Sequence, residues 1–382
     1  MIHRRQFLRV AAAGCGTLLV APRLVFANVE TDRRFVFVIQ RGAADGLNIV
    51  VPYADPAYAP LRGELAVDPA SAIKLDGTFA LHPSLAGLGR FYGAGEALFV
   101  HAVASPYRDR SHFDGQNVLE TGGDSPYQFK DGWLNRLVGL MPASRDEAIA
   151  FAPTVPMALR GKAEVSSYAP SSLPTAPDDL LMRVNALYEH DPQLHPLWEA
   201  AMDARKLAGA LEERQNPAAI GRMAASFLKR PDGPRVAMIE TDGWDTHSGQ
   251  AGRLGNQLSA LDSLLWSLRN ELGEVWRQTT VLVATEFGRT AAVNGTGGTD
   301  HGTAAAAMVL GGAVRGGRVL ADWPGLAHGV LYEGRDLAPT LDLDALIATV
   351  AAEGLGLDPE LAMRTLFPGR PMNRTLHGLV TA

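Results

Sequence analysis

The sequence predicts an α/β protein: a doubly wound, mostly parallel sheet with helices on both faces and an inserted helical section. Three observations carry this expectation. Four β-rich apolar runs (Arg34 to Ile39, Ala97 to Val103, Val236 to Ile239 and Val281 to Ala284) are separated by helical patterns, the alternation expected of parallel βαβ units. Leu254, Leu258, Leu261, Leu265, Leu268, Leu272 and Val275 recur at steps of four and three, which places one apolar stripe on a helix from Ser248 to Trp276. Acid and histidine clusters lie beside strand-like runs, and an open α/β sheet binds ligands outside its strands' carboxyl ends.

At the N-terminus, His3-Arg4-Arg5-Gln6-Phe7-Leu8-Arg9 has the twin-arginine form, followed by an apolar stretch from Val10 to Val20 and by Val25-Phe26-Ala27. Residues 1–27 are therefore expected to be a signal peptide cleaved after Ala27, with the twin-arginine translocase as partner. The apolar stretch is too short to span a bilayer, so no stable membrane anchor is expected. Loss of its four arginines takes the formal charge from −6 to −10. An acidic chain argues against nucleic-acid binding. The single cysteine, Cys15, lies within the signal, so the mature chain, residues 28–382, has neither a disulfide nor a thiolate ligand.

Within that single domain the elements follow in order. The run Arg34 to Ile39 is the first central strand and enters the tight loop Gly42-Ala-Ala-Asp45-Gly46. Leu85, Leu88 and Phe91 share a face of a short helix from Pro83 to Gly93. Ala97 to Val103 is the next strand; a polar turn, Ser105 to Arg110, leads to a helix start at Ser111-His112-Phe113-Asp114, where Ser111 and Asp114 have capping-box spacing. The less regular section 143–232 is read as an insertion or cap, with a loop from Pro170 to Pro177 and helices from Asp178 to Glu189 and Pro196 to Glu213. Val236 to Ala284 is a strand–helix–strand unit, and Asp342 to Leu355 a last apolar-striped helix.

The chemistry concentrates in Asp242-Gly-Trp-Asp245-Thr-His247, Thr285-Glu286-Phe-Gly-Arg289 and Gly298-Thr-Asp300-His301-Gly302. Asp45, Asp245, His247, Glu286, Asp300 and His301 are candidate ligands of a divalent metal. Oxygen and imidazole donors together suit zinc or manganese, and also iron. Each has a plainer reading as well: Asp45 as a turn aspartate, Asp245 as an acid at a helix start, Glu286 as an ion-pair partner of Arg289, Asp300-His301 as a solvated loop. Ser111 at a helix N-terminus is either an N-cap or a nucleophile; His112 is a ligand or an acid/base. Arg110 is a candidate for holding an anionic substrate, and Arg289 for holding oxygens that become charged in a reaction. His82 and His101 read as core or supporting histidines.

The stretches Gly42-Ala-Ala-Asp-Gly-Leu-Asn48, Arg110-Ser-His-Phe-Asp114, Gly243-Trp-Asp-Thr-His-Ser248, Thr285-Glu-Phe-Gly-Arg289 and Gly298-Thr-Asp-His-Gly302 resemble an exported family, number 1501 of the domains of unknown function. More loosely, the chain resembles the alkaline-phosphatase-like superfamily with its sulfatases. The resemblance implies an alkaline-phosphatase-like fold and metal-assisted hydrolysis of a small-molecule or polymer-borne phosphate or sulfate ester. The superfamily's first-strand aspartate falls at Asp45, its nucleophile at Ser111 or His112, and its Asp…His pair at Asp245 and His247. The chain departs where Glu286-Phe287 stands in place of an Asp-His pair, and it has no Cys-x-Pro-x-Arg motif, so one metal rather than two is expected. A non-catalytic binding or assembly protein on the same fold is the alternative.

Overall fold

The computed structural model describes residues 31–141, 147–169, 178–208, 216–371 and 376–381; the expected signal peptide and the Pro170 to Pro177 loop lie outside them. Strands β1 (Arg34–Gln40), β2 (Val50–Val51), β3 (Ile73–Lys74), β4 (Ala80–Leu81), β5 (Ala97–Ala104), β6 (Ala148–Phe151), β7 (Ser166–Ser167), β8 (Val236–Thr241), β9 (Thr279–Thr285), β10 (Ala305–Gly311), β11 (Arg318–Leu320) and β12 (Leu341–Asp342) form two sheets. The central sheet has the order β11-β5-β10-β9-β1-β8-β6-β7, with β12 also on β5, and β2-β4-β3 make a small antiparallel sheet. In the central sheet β10 alone runs against its neighbours, β9 and β5. Such a sheet must be covered on both faces.

Alternation along β1 sends Phe35, Phe37 and Ile39 to one face and Val36 and Val38 to the other. The first face packs under helices Trp133–Val138, Leu343–Leu355 and Pro359–Leu366; Trp133 meets Phe37 edge-on at 5.0 Å between ring centroids. The second lies under Ala86–Gly93, Pro217–Leu228 and Gln250–Leu272. Six leucines of the expected stripe, from Leu254 to Leu272, are buried there. The unit Val236 to Ala284 does not pair its own strands: β8 and β9 flank β1, each parallel to it. Among the described residues no helix is long and apolar enough to cross a membrane.

The section 143–232 needs correction as an insertion set apart from the core. β6 pairs in parallel with β8, β7 adds to β6, and helix Pro217–Leu228 covers the sheet beside Gln250–Leu272. β6 offers only four apolar residues, too few for periodicity to separate strand from loop. Among the described residues of this section, helices Asp178–Tyr188 and Leu194–Ala208 extend from this framework, and Leu187 and Leu197 are exposed on them. The capping box also fails to form. Ser111 is the N-cap of helix His112–Thr121 but makes no side-chain cap bond, and its N–H donates to the Tyr107 hydroxyl at 3.1 Å. That amide is therefore not offered to Asp114.

Helix Leu343–Leu355 starts with a capped turn, Asp342 accepting from the Ala345 amide, yet its second residue, Asp344, is buried with both carboxylate oxygens lacking a hydrogen bond among the described residues. The Arg370 Nε lies 3.3 Å away without hydrogen-bond geometry. Burial, and then the charge of Asp342, push the Asp344 carboxyl up to about 8. Its pKa in the unfolded chain is about 3.9, so the folded state holds an extra proton between these values and stability falls as pH rises from about 4 to about 8. Asp344→Asn is expected to melt higher than wild type at pH 9, with the gap closing by pH 4; equal melting temperatures at pH 9 would contradict the burial argument.

Candidate metal centre

The carboxyl ends of β1, β5, β8 and β9 and the start of the opposed β10 meet at one edge of the central sheet. The loops after β9 and before β10 form a short ribbon. Arg289 and His301 pair as an antiparallel bridge, the Gly302 amide donates to the Gly288 carbonyl at 2.8 Å, and the Thr290 amide donates to the Asp300 carbonyl at 2.9 Å. The loop after β8 leans on this ribbon, the Thr299 amide donating to the Thr246 carbonyl at 3.2 Å. Close approach requires glycine at two points. A Cβ on Gly298 would lie 2.2 Å from the His247 carbonyl carbon, and one on Gly42, at φ 116°, 2.6 Å from the Asp245 nitrogen.

Asp245 is the centre of the resulting cluster. Its Oδ1 lies 3.4 Å from the His112 Nε2, 3.0 Å from the His247 Nε2 and 3.3 Å from the His301 Nε2. The His247 and His301 Nε2 atoms are 3.0 Å apart. Ligand atoms of His112, Asp245 and His301 all fall within 4.8 Å of one another. Behind each imidazole stands an acceptor for the other ring nitrogen: Glu286 Oε1 for His112 (2.9 Å), Asp300 Oδ1 for His247 (3.0 Å) and the Arg110 carbonyl for His301 (2.9 Å). An acceptor on Nδ1 holds the proton there and turns the Nε2 lone pair inward. The buried His112 Nε2 has no hydrogen bond among the described residues. Phe287, on the small apolar cluster with Ala43, Tyr107 and Val118, stacks on the His112 ring at 5.1 Å and touches His301 at 5.4 Å.

Charge is arranged to keep the acids ionised. Burial works against Asp245, but the Arg289 bond and charge, then His247 and His112, outweigh it and hold the carboxyl at about 2. Burial likewise opposes ionisation of Glu286; bonds from His112, Gln116 and the Gly42 amide together pull it below the ordinary range. The Glu286 bond raises His112, whereas burial and the neighbouring His112 charge lower His301.

The structure thus gathers His112, Asp245, His247 and His301, and sets Glu286 and Asp300 one step behind them. Asp45 is not brought in. Its two oxygens accept from Arg62 at 2.5 and 2.9 Å, in a pair that is 1% and 0% exposed, and Gln250 adds a further bond. Asp45 as a ligand is corrected on that ground: its charge is already neutralised. Arg110 does not offer its guanidinium to a substrate, because Asp336 takes it at 2.8 and 3.0 Å and Glu333 at 2.5 Å; its contribution is the carbonyl on His301. Arg289 is buried, bound to Asp245 Oδ1 at 2.6 Å and to the Thr299 side chain and carbonyl, so it steadies Asp245 rather than facing a ligand. The Ser111 Oγ has no hydrogen bond among the described residues. Sequence reasoning missed Arg62, Gln116, Gln250 and Asp336. Gln116 alone left a trace, four residues after His112 on one helix face.

A search of curated proteins finds no match. Among solved structures the chain overlaps Ps i-CgsB in complex with k-i-k-neocarrahexaose (11% identity, 88% of this chain and 74% of that one, TM-score 0.45). It also overlaps the C-terminal periplasmic domain of EcEptC from Escherichia coli, a zinc complex (8%, 74% and 73%, TM-score 0.38), and alkaline phosphatase from the Antarctic bacterium TAB5 (11%, 75% and 94%, TM-score 0.33). These overlaps are too loose to transfer a role to any residue. The family model described as protein of unknown function (DUF1501) matches residues 92–378, most of the chain including every member of the histidine cluster, and the chain belongs to that family.

Proposed function

We propose that this protein is a metal-dependent hydrolase of phosphate or sulfate esters, exported through the twin-arginine pathway, with one divalent ion, zinc or manganese, at the histidine cluster. The observation that carries the reading is the convergence of three imidazole Nε2 atoms and one carboxylate oxygen, each imidazole oriented from behind by its own acceptor. The donors fit such an ion: imidazoles and an ionised carboxylate are its usual ligands, and the His112 Nε2, which has no hydrogen bond among the described residues, is a donor atom that an ion can take in exchange for a proton. His112, Asp245, His247 and His301 would hold it. When bound, a divalent ion supplies Lewis acidity toward phosphoryl or sulfuryl oxygens. The chain's own contribution is to fix the imidazole tautomers through Glu286, Asp300 and the Arg110 carbonyl, and to keep Asp245 anionic through Arg289. Ser111, whose side chain makes no hydrogen bond among the described residues and which stands at the start of the helix carrying His112, is the candidate nucleophile.

A second reading, a non-catalytic binding or assembly protein, is favoured by one specific observation: the guanidinium groups of Arg110 and Arg289 are both tied to carboxylates, leaving neither to hold an anionic ester. The test pairs elemental mass spectrometry of the exported protein with turnover of aryl phosphates and aryl sulfates. One zinc or manganese per chain together with turnover supports the hydrolase; one metal without turnover across the panel favours the second reading; a metal-free, folded protein removes the centre altogether. Glu286→Gln is expected to weaken metal affinity about 10- to 100-fold, the usual cost of losing an outer partner of a ligating histidine, as read by chelator competition.

A further inference from the structure

An unbroken line of buried hydrogen bonds joins the Asp45–Arg62 pair to the histidine cluster. Gln250 is the first residue of helix Gln250–Leu272, yet its side chain bonds to residues of three other segments. Its amide nitrogen donates to Asp45 Oδ2. Its Oε1 accepts from the Thr246 hydroxyl at 2.9 Å and from the Thr299 hydroxyl at 2.6 Å. Thr299 Oγ1 in turn accepts from Arg289 Nε at 3.2 Å, and Arg289 Nη1 donates to Asp245 Oδ1 at 2.6 Å. Thr246, Gln250 and Thr299 are 0% exposed, Asp45 and Arg289 1%. The polarity of the line is fixed from one end. An ionised carboxylate only accepts, so the Gln250 NH2 must face Asp45 and its oxygen must face the hydroxyls. The one proton of the Thr299 hydroxyl is then spent on Gln250, which leaves its lone pairs for the Arg289 Nε–H. Without the glutamine oxygen that hydroxyl is free to turn its proton toward Arg289, donor against donor, in a place closed to solvent.

We propose that Gln250 and Thr299 are positioning residues of the metal centre: Gln250 fixes the Thr299 hydroxyl, the hydroxyl fixes Arg289, and Arg289 holds Asp245 in place for the ion. The assignment rests on the metal-centre reading and is independent of the ester chemistry. The test uses the full chain in three variants of similar side-chain size, Gln250→Met, Thr299→Val and Thr299→Ser, the last of which keeps the hydroxyl. Zinc affinity is read by chelator competition. In the metal-free protein, nitrogen-15 NMR reads the exchange of the Arg289 Nε–H with water. Gln250→Met and Thr299→Val are expected to weaken zinc binding about tenfold, the lower end of the cost of losing an outer partner of a ligand, and to speed the Nε–H exchange. Thr299→Ser is expected to stay at the wild-type values in both. A packing role would do the reverse, sparing valine, which keeps the shape of threonine, and penalising serine, which loses a methyl group. Wild-type zinc affinity in a folded Gln250→Met protein, or a Thr299→Ser variant that falls as far as Thr299→Val, overturns the assignment. If the wild type takes up no zinc, it is the metal-centre reading that fails; unchanged Arg289 exchange in Gln250→Met and Thr299→Val then overturns the positioning role as well.

Discussion

Replacing His301 by alanine is expected to lower zinc affinity by more than about 100-fold while leaving the fold intact, since loss of a ligand exceeds the 10- to 100-fold cost of losing an outer partner. The His301 Nε2 sits 3.0 Å from the His247 Nε2 and 3.3 Å from Asp245 Oδ1, so its loss opens the cluster on one side. The loop that carries it is held by backbone bonds from Thr290 and Gly302, which an alanine leaves in place. Chelator competition reads the affinity and circular dichroism the fold. Wild-type zinc affinity in a folded His301→Ala protein would mean that the imidazoles converge for some other reason, such as a structural hydrogen-bond cluster.

The second large effect concerns Arg62. Its guanidinium is 0% exposed and Asp45 is 1% exposed, so Arg62→Met leaves a buried carboxylate facing only the Gln250 amide. Breaking one side of a buried ion pair costs about 3–5 kcal/mol, measured here by urea denaturation at pH 7. The double variant Arg62→Met, Asp45→Leu is expected to recover much of that loss, because two apolar groups need no compensation. Asp45→Asn separates the two roles weighed for this residue: with Asp45 in a structural pair the metal content is unchanged, whereas a ligand would take the metal with it. A fall in metal content in Asp45→Asn, in a folded protein, would return Asp45 to the centre.

Both predictions turn on distinctions that local sequence could not make. Asp45 and Asp245 look alike along the chain: each follows a buried strand and sits next to glycine-containing turns. They part in space because Arg62, 17 residues after Asp45, folds back onto it, while Asp245 receives the imidazole of His247 from its own loop, of His112 from a helix start and of His301 from the loop before β10. Arg110 and Arg289 were legible as cations near an anionic site. Their carboxylate partners, Asp336 and Asp245, lie 226 and 44 residues away, and no spacing rule connects them. Local sequence does not choose between ligand and acid/base for His112, because its orientation depends on Glu286, 174 residues further on.

What the sequence by itself determined is the framework and its edge. Uniform runs of β-branched and aromatic residues required strands buried on both faces, and the leucine stripe required a long helix against them. With those elements in a parallel sheet, the acid and histidine clusters that follow β1, β8 and β9 had to emerge at one rim, since successive parallel strands end on the same side; Asp300 and His301 precede β10 and reach that rim only because β10 runs antiparallel. Only the tertiary structure decided which members of those clusters face one another, which are neutralised in pairs, and that β6 and β7 extend the sheet into the section read as a cap. The physical reason is the range of the interactions involved. Periodic burial is written in neighbouring residues, whereas an ion pair or a hydrogen bond within the centre is set by where distant loops stop, to within a few tenths of an ångström.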